Sequence, residues 1–251
     1  MRLRGPAVAR VAGVVAVVMA LILTGCSGGR DRTLVVWADA SLRAPFLQFA
    51  KVLQDTHPGT TVTVRTGGSA VLAGEIAAGA EVDVFASAGP GPMSVLAGRP
   101  GDVDRIASTT LLLVTAKGNP EGIATLNQLT RGGITVAACR PSEPCGAMTD
   151  EVLQAAGVTL TPGVLVDDTA TVLEQVMAGE VDAGFVYATD AEAAGADVYV
   201  VDDPVFQQHR SNHQITVLAD SRRSELAGEF RDLVLSKPGQ SLLDDFGFGA
   251  P

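Results

Sequence analysis

Histidine, cysteine and aromatic side chains are all scarce: the 251 residues include three His, three Cys and only 4% Phe, Trp and Tyr. His57, His209 and His213 fall at no metal-ligand spacing, so a zinc site is not indicated. A phosphate-binding loop is also missing. A serine or thiol hydrolase built on Ser41, Ser69 or Cys145 would need an adjacent base, and only His209 and His213 are available. Positive charge is in short supply, with 18 Lys and Arg against 28 Asp and Glu, a formal net charge of −10. The first 25 residues hold Arg2, Arg4 and Arg10 and no acid, so the remainder carries about −13, which argues against nucleic acid as a partner. An anion bound by such a chain has to be held by local dipoles. Past the N-terminus no apolar run approaches the length of a membrane span, and no internal repeat, low-complexity tract or long linker appears.

What is present begins with an export signal. Arg2, Arg4 and Arg10 form a positive segment ahead of Val11 to Leu23, which is apolar apart from Gly13. That run is too short for a permanent span but suits a signal-peptide core. Leu23-Thr24-Gly25-Cys26 resembles a bacterial lipobox, which implies a leader over 1–25, lipid on Cys26 and a tether over 26–32. The expected location is the extracytoplasmic face of the cell membrane, held by the lipid anchor alone. In that oxidising compartment Cys139 and Cys145 remain. A metal pair or a reactive thiol is an alternative, but with no histidine near them in sequence a disulfide is favoured, closing a small loop worth ~2 kcal/mol.

The rest of the chain alternates β-branched runs with helical patterns. Strands are expected at Leu34–Trp37, Thr61–Val64, Val82–Ala86, Leu111–Thr115, Ile134–Ala138, Val164–Val166 and Ala183–Val186. Helices are expected where Leu42, Phe46, Phe49, Ala50 and Leu53 recur, around Leu72 to Ala77, near 147–156 and 170–178, and where Leu226, Phe230, Leu233 and Val234 recur. This pattern predicts βαβ units with parallel sheets, in a chain long enough for two lobes.

Four strand-to-helix turns carry hydroxyls or small residues: Asp39-Ala40-Ser41-Leu42, Gly67-Gly68-Ser69-Ala70, Pro144-Cys145-Gly146-Ala147 and Asp168-Thr169-Ala170. Helix N-termini present unpaired N–H groups and partial positive charge, so several facing inward make an anion site. Ser41 and Ser69 add hydroxyls, and Tyr187 ends an apolar strand where its phenol is able to donate. Taken singly, the serines also read as ordinary N-caps, and Asp167-Asp168 as a capping, solvated pair.

In their order and spacing these elements resemble the periplasmic molybdate-binding proteins of ABC transporters along nearly the whole mature chain. The resemblance rests on Ala40-Ser41-Leu42, on Ser69 with Leu72-Ala73 and Ile76-Ala77-Ala78-Gly79, and on Asp83-Val84-Phe85-Ala86-Ser87-Ala88. Pro144-Cys145-Gly146, Val186-Tyr187-Ala188-Thr189-Asp190-Ala191 and Phe246-Gly247-Phe248 complete it. It implies an α/β, two-lobed type II periplasmic-binding-protein fold, each lobe a mixed, mostly parallel sheet flanked by helices, joined by two hinge strands. The expected division is lobe 1 over 33–108, lobe 2 over 109–215, and a return to lobe 1 over 216–251. The implied ligand is molybdate or tungstate, bound by Ser41, Ser69, Cys145, Thr169 and Tyr187, with molybdenum entering only as the oxyanion. No cofactor and no enzymatic activity are implied. The implied partners are a membrane permease and its ATPase, and the protein is expected to be a monomer. Asp39 departs from the pattern, standing where a small neutral residue is usual, and is expected to face away from the site or to cap locally. Cys145 stands where Ala is common. A receptor for sulfate or phosphate is the alternative, kept open by Asp39, since phosphate receptors commonly use an acceptor carboxylate.

Overall fold

The protein was described from a computed structural model, covering residues 32–96 and 98–251. The expected leader, Cys26 and the tether up to residue 31 lie outside the described residues.

The first half starts as a βα alternation. Strand β1 (Thr33–Asp39) leads through a 3-10 turn at Ala40–Leu42 into helix α1 (Arg43–Thr56). Strand β2 (Thr61–Gly67), helix α2 (Ser69–Ala77), strand β3 (Val84–Ala88) and the short helix α3 (Gly91–Val95) follow. β1 pairs in parallel with both β2 and β3. Period-two alternation sends Leu34, Val36 and Ala38 to one face with Phe46, Phe49 and Leu53 of α1, while Trp37 goes to the other with Leu72 and Ile76 of α2.

Strand β4 (Pro100–Ala116) then runs for 17 residues out of this half and into the second. There lie β5 (Val136–Cys139), α4 (Pro144–Ala155), β6 (Val164–Val166), α5 (Thr169–Ala178), β7 (Ala183–Tyr187), α6 (Ala188–Ala194) and β8 (Val198–Val201). Leu111, Leu113, Phe185 and Tyr187 pack with Met148 and Val152 of α4, and Val114 and Val186 pack with Val172 and Val176 of α5. A Cβ at Gly184 would sit 2.4 Å from a Val172 methyl, so the bare glycine lets α5 lie close on the sheet. Strand β9 (Arg210–Leu218) returns to the first half, and helices α7 (Ser224–Leu235) and α8 (Lys237–Asp245) close it.

The strand order is β2-β1-β3-β9-β4-β7-β5-β6, with β8 on β4. Every antiparallel pairing among the described residues involves β4 or β9, and the remaining pairings are parallel. The sheets are therefore more evenly mixed than the βαβ pattern predicts. The sequence reading marked only the last third of β4 as strand and missed β8 and β9. Two register irregularities and several polar residues interrupt the first part of β4, and β9 opens on Arg210-Ser211-Asn212-His213. The expected divisions after residues 108 and 215 fall inside β4 and β9, the two strands that cross between the halves.

Helix α7 packs against α1 of the first half. Phe230 is fully buried, its ring 5.6 Å from Phe46 and 6.3 Å from Phe49 in edge-on packing. Replacing Phe230 by Ala should destabilise the protein by about 3–5 kcal/mol, measured by urea denaturation. The loss in a Phe46→Ala, Phe230→Ala double variant should differ from the sum of the two singles, because the rings share one contact.

Candidate functional site

β1, β2, β3, β5, β6 and β7 all end on the same seam, where the two halves meet. Open α/β sheets bind ligands at the carboxyl ends of their strands because helix N-termini gather there. β1 ends at Asp39, a residue only 5% exposed. A buried carboxylate has to find donors. Asp39 Oδ1 accepts from the Ser41 N–H at 3.2 Å and the Ser41 hydroxyl at 2.7 Å, while Oδ2 accepts from the Ser69 hydroxyl at 2.5 Å. Asp39 therefore caps locally, as expected, but it does not face away: it reaches across to α2 and holds both candidate ligand serines. Ser69 Oγ in turn accepts from the Ala88 N–H at 3.0 Å.

His213, on β9, has no exposed surface and places Nε2 3.0 Å from Ser41 Oγ and 4.0 Å from Asp39 Oδ1. Its ring packs edge-on to Tyr187 and Phe248. Burial pushes its pKa below the ordinary value, opposed by the Asp39 charge, so the imidazole is neutral at neutral pH. Nδ1 has no hydrogen-bond partner. A hydrolase triad needs a carboxylate orienting the nitrogen remote from the serine. Here the nearby carboxylate lies on the serine side, so the Ser41–His213 pair lacks that geometry.

From the second half, Tyr187 is 1% exposed and its hydroxyl makes no well-formed hydrogen bond. Burial first, then the Asp39 charge, raise its pKa well above the ordinary value, so the phenol keeps its proton and can only be approached as a neutral group. The buried hydroxyls of Thr169, Thr189 and Ser211 likewise lack a well-formed hydrogen bond. Ser211 and Thr169 nonetheless lie close enough to influence Tyr187 and Asp190 respectively. Thr169 opens α5, and Cys145 is the second residue of α4, so the N–H of each belongs to a first turn without helical acceptors. Asp168 caps α5 by accepting from the Thr171 N–H at 2.8 Å, and Asp167 pairs with Arg140 at the surface.

Cys139 and Cys145 form a disulfide. The loop that it closes presents Glu143, 1% exposed, whose carboxylate accepts from the N–H groups of Ala70 at 2.7 Å and Val71 at 3.0 Å. The second half thus supplies an anion to the N-terminus of α2 in the first. Burial raises the pKa of Glu143, against the two backbone donors. Gly68 permits the approach: a Cβ there would lie 2.2 Å from the Asp167 carbonyl oxygen.

The structure brings Asp39, Ser41, Ser69 and Tyr187 to this seam and sets the first turns of Cys145 and Thr169 beside it. Sequence reading missed Glu143, Asp190 and Ser211, and treated His213 only as a base. A period-two inward pattern at Ser211, His213, Ile215 and Val217 was the one signal for β9. Glu143 has none, since its partners lie 72 and 73 residues away.

With this geometry in hand, the class is defined: the chain belongs to the bacterial extracellular solute-binding proteins, whose family pattern matches residues 34–249. Within that class, the molybdate-binding protein ModA of Mycobacterium tuberculosis H37Rv is 35% identical over 226 residues, covering 88% of this chain and 85% of the relative. The Azotobacter vinelandii periplasmic molybdate-binding protein superposes with a TM-score of 0.74 at 20% identity, over 87% of this chain and 99% of that one. The sulfate-binding protein SubI of M. tuberculosis H37Rv gives 0.71 at 19% identity, over 86% of each. These structural likenesses establish the type II periplasmic-binding-protein fold.

Asp190, at the start of α6, provides a pH test. Burial raises its pKa from 3.8 to about 6, against the Thr169 hydroxyl and the Tyr187 N–H, which donates to it at 3.1 Å. Between those values the folded state holds a proton that the unfolded state has lost, so stability falls as pH rises through this window. The shift of ~2 units sets an upper bound of about 3 kcal/mol. Urea denaturation at pH 4 and pH 7 should show a larger loss for wild type than for Asp190→Asn, since the amide does not titrate.

Proposed function

We propose that this protein binds molybdate, and with it tungstate, outside the cytoplasmic membrane and delivers it to an ABC importer. The ModA relative over most of both chains supports the ligand class. The observation that carries the site is the gathering of buried hydroxyls without a well-formed hydrogen bond, on Tyr187, Thr169 and Ser211, opposite Ser41 and Ser69. A buried hydroxyl without a partner costs stability, and a tetrahedral oxyanion offers acceptors in several directions at once. In this reading Ser41, Ser69 and Tyr187 donate hydroxyls, and Cys145 and Thr169 donate backbone N–H groups.

The remaining parts of the reading follow from the role. Residues 33–108 with 216–251 act as one lobe and 109–215 as the other, and the lobes close on the anion about β4 and β9. Lipid on Cys26 anchors the chain, which works as a monomer and meets a permease driven by an ATPase on the inner side. Its role is binding without turnover, consistent with the family and with the lack of an orienting carboxylate on His213 Nδ1. One observation favours a second ligand class: the Asp39 carboxylate is able to accept the proton of hydrogenphosphate, which a site made only of donors does not do.

Isothermal titration with molybdate, tungstate, sulfate and hydrogenphosphate should give tight one-to-one binding of the first two only. Tyr187→Phe is the sharpest variant because its hydroxyl has no well-formed hydrogen bond to lose. Ligand-free stability should stay within about 0.5 kcal/mol of wild type or rise. Molybdate affinity should fall by about 1.5–3 kcal/mol, roughly tenfold or more. Unchanged affinity would remove Tyr187 from the site.

A further inference from the structure

Each serine hydroxyl carries one hydrogen, and both hydrogens in the first half of the site are already committed to one acceptor. Ser41 and Ser69 donate to the two oxygens of Asp39, at 2.7 and 2.5 Å. Asp39 is nearly as buried as a core residue, and it also takes the Ser41 N–H. Its two oxygens therefore use three of the donors that an incoming oxyanion would need. The carboxylate is, in chemical terms, an oxyanion already tethered to the chain.

The surroundings add to the effect. His213 on β9 faces Asp39 and is neutral, and the Tyr187 phenol on β7 is also neutral. Glu143 before α4 and Asp190 on α6 both feel the Asp39 charge, with Asp167 and Asp168 behind them. Among the described residues no lysine or arginine pairs with Asp39, Glu143 or Asp190. A dianion entering this seam meets carboxylates and neutral donors.

We infer that Asp39 is an affinity-determining residue of the site, a built-in competitor from which a fully deprotonated dianion must take the Ser41 and Ser69 hydroxyls. The inference rests on the anion-binding reading above. Asp39 thereby lowers affinity for every dianion that the donors fit, and it leaves the serines satisfied when no anion is bound.

The test is titration of wild type, Asp39→Ala and Asp39→Asn with sodium molybdate, sulfate and hydrogenphosphate, with circular dichroism to confirm folding. Asp39→Ala frees both hydroxyls and removes the charge, so molybdate should bind at least tenfold more tightly than to wild type. Asp39→Asn keeps an acceptor for Ser41 but loses the charge, and should fall between the two. Unchanged or weaker molybdate binding in the folded variants overturns the inference while leaving molybdate as the wild-type ligand. Hydrogenphosphate bound by wild type and lost in both variants also overturns it, because Asp39 would then accept the ligand's own proton. If no anion binds wild type or either variant, the anion-site reading fails and the inference fails with it. A measurement on wild type needs no variant: the 13C resonance of the Asp39 carboxyl should move on saturation with molybdate, as its hydroxyl donors leave. A resonance that stays in place while molybdate binds overturns the proposal.

Discussion

The seam of this protein is shaped by a single constraint: Asp39, Glu143 and Asp190 are buried there, and neutral groups have to satisfy them. Each carboxylate has met the constraint by taking N–H or O–H donors from a neighbouring element. Asp39 joins the end of β1 to the 3-10 turn and to α2, Glu143 joins the loop before α4 to α2, and Asp190 ties α6 back to β7. These bonds fix where the helix N-termini point. Any anion that binds enters a network already organised around negative charge.

The same constraint explains how the halves meet. The α2 N-terminus, read from sequence as a place for an anion, is met by the Glu143 carboxylate of the opposite half. The disulfide holds the loop carrying Glu143 in a short ring, so little chain entropy opposes that contact. The hydroxyls without a well-formed hydrogen bond, on Tyr187, Thr169 and Ser211, belong to the second half and its crossing strand. The contact between the halves thus draws on the α2 N-terminus and leaves these hydroxyls aside.

Much of the fold was legible because local physics and tertiary structure agree. Leu34-Val35-Val36-Trp37 alternates as a half-buried strand should, and Leu226, Phe230, Leu233 and Val234 form one helical stripe that finds α1. The Asp168 cap and the pairing of Cys139 with Cys145 follow from short-range rules and were both legible. β9 was not, because its inward positions include Ser211 and His213, which disguise the period-two pattern. The direction of Asp39 was also hidden: the residue type predicts a cap, and only the position of α2 reveals the second acceptor contact. Glu143 lies beyond any local rule, because its meaning depends on two halves closing.

The crossing strands have a consequence for how the chain acquires its structure. Thr110 pairs with Arg210, so β4 and β9 are the arms of one hairpin whose turn is the entire second half. β9 also lies between β3 and β4 in the sheet, although both precede it by more than 90 residues of sequence. Closing so long a loop costs only logarithmically more than closing a short one, but the pairing is slow because its contacts are remote. While the chain emerges from its N-terminal end, the edges of β3 and β4 stay open, and Phe46 and Phe49 wait for Phe230. The first half completes its sheet only once β9, which follows the entire second half in sequence, is in place between β3 and β4.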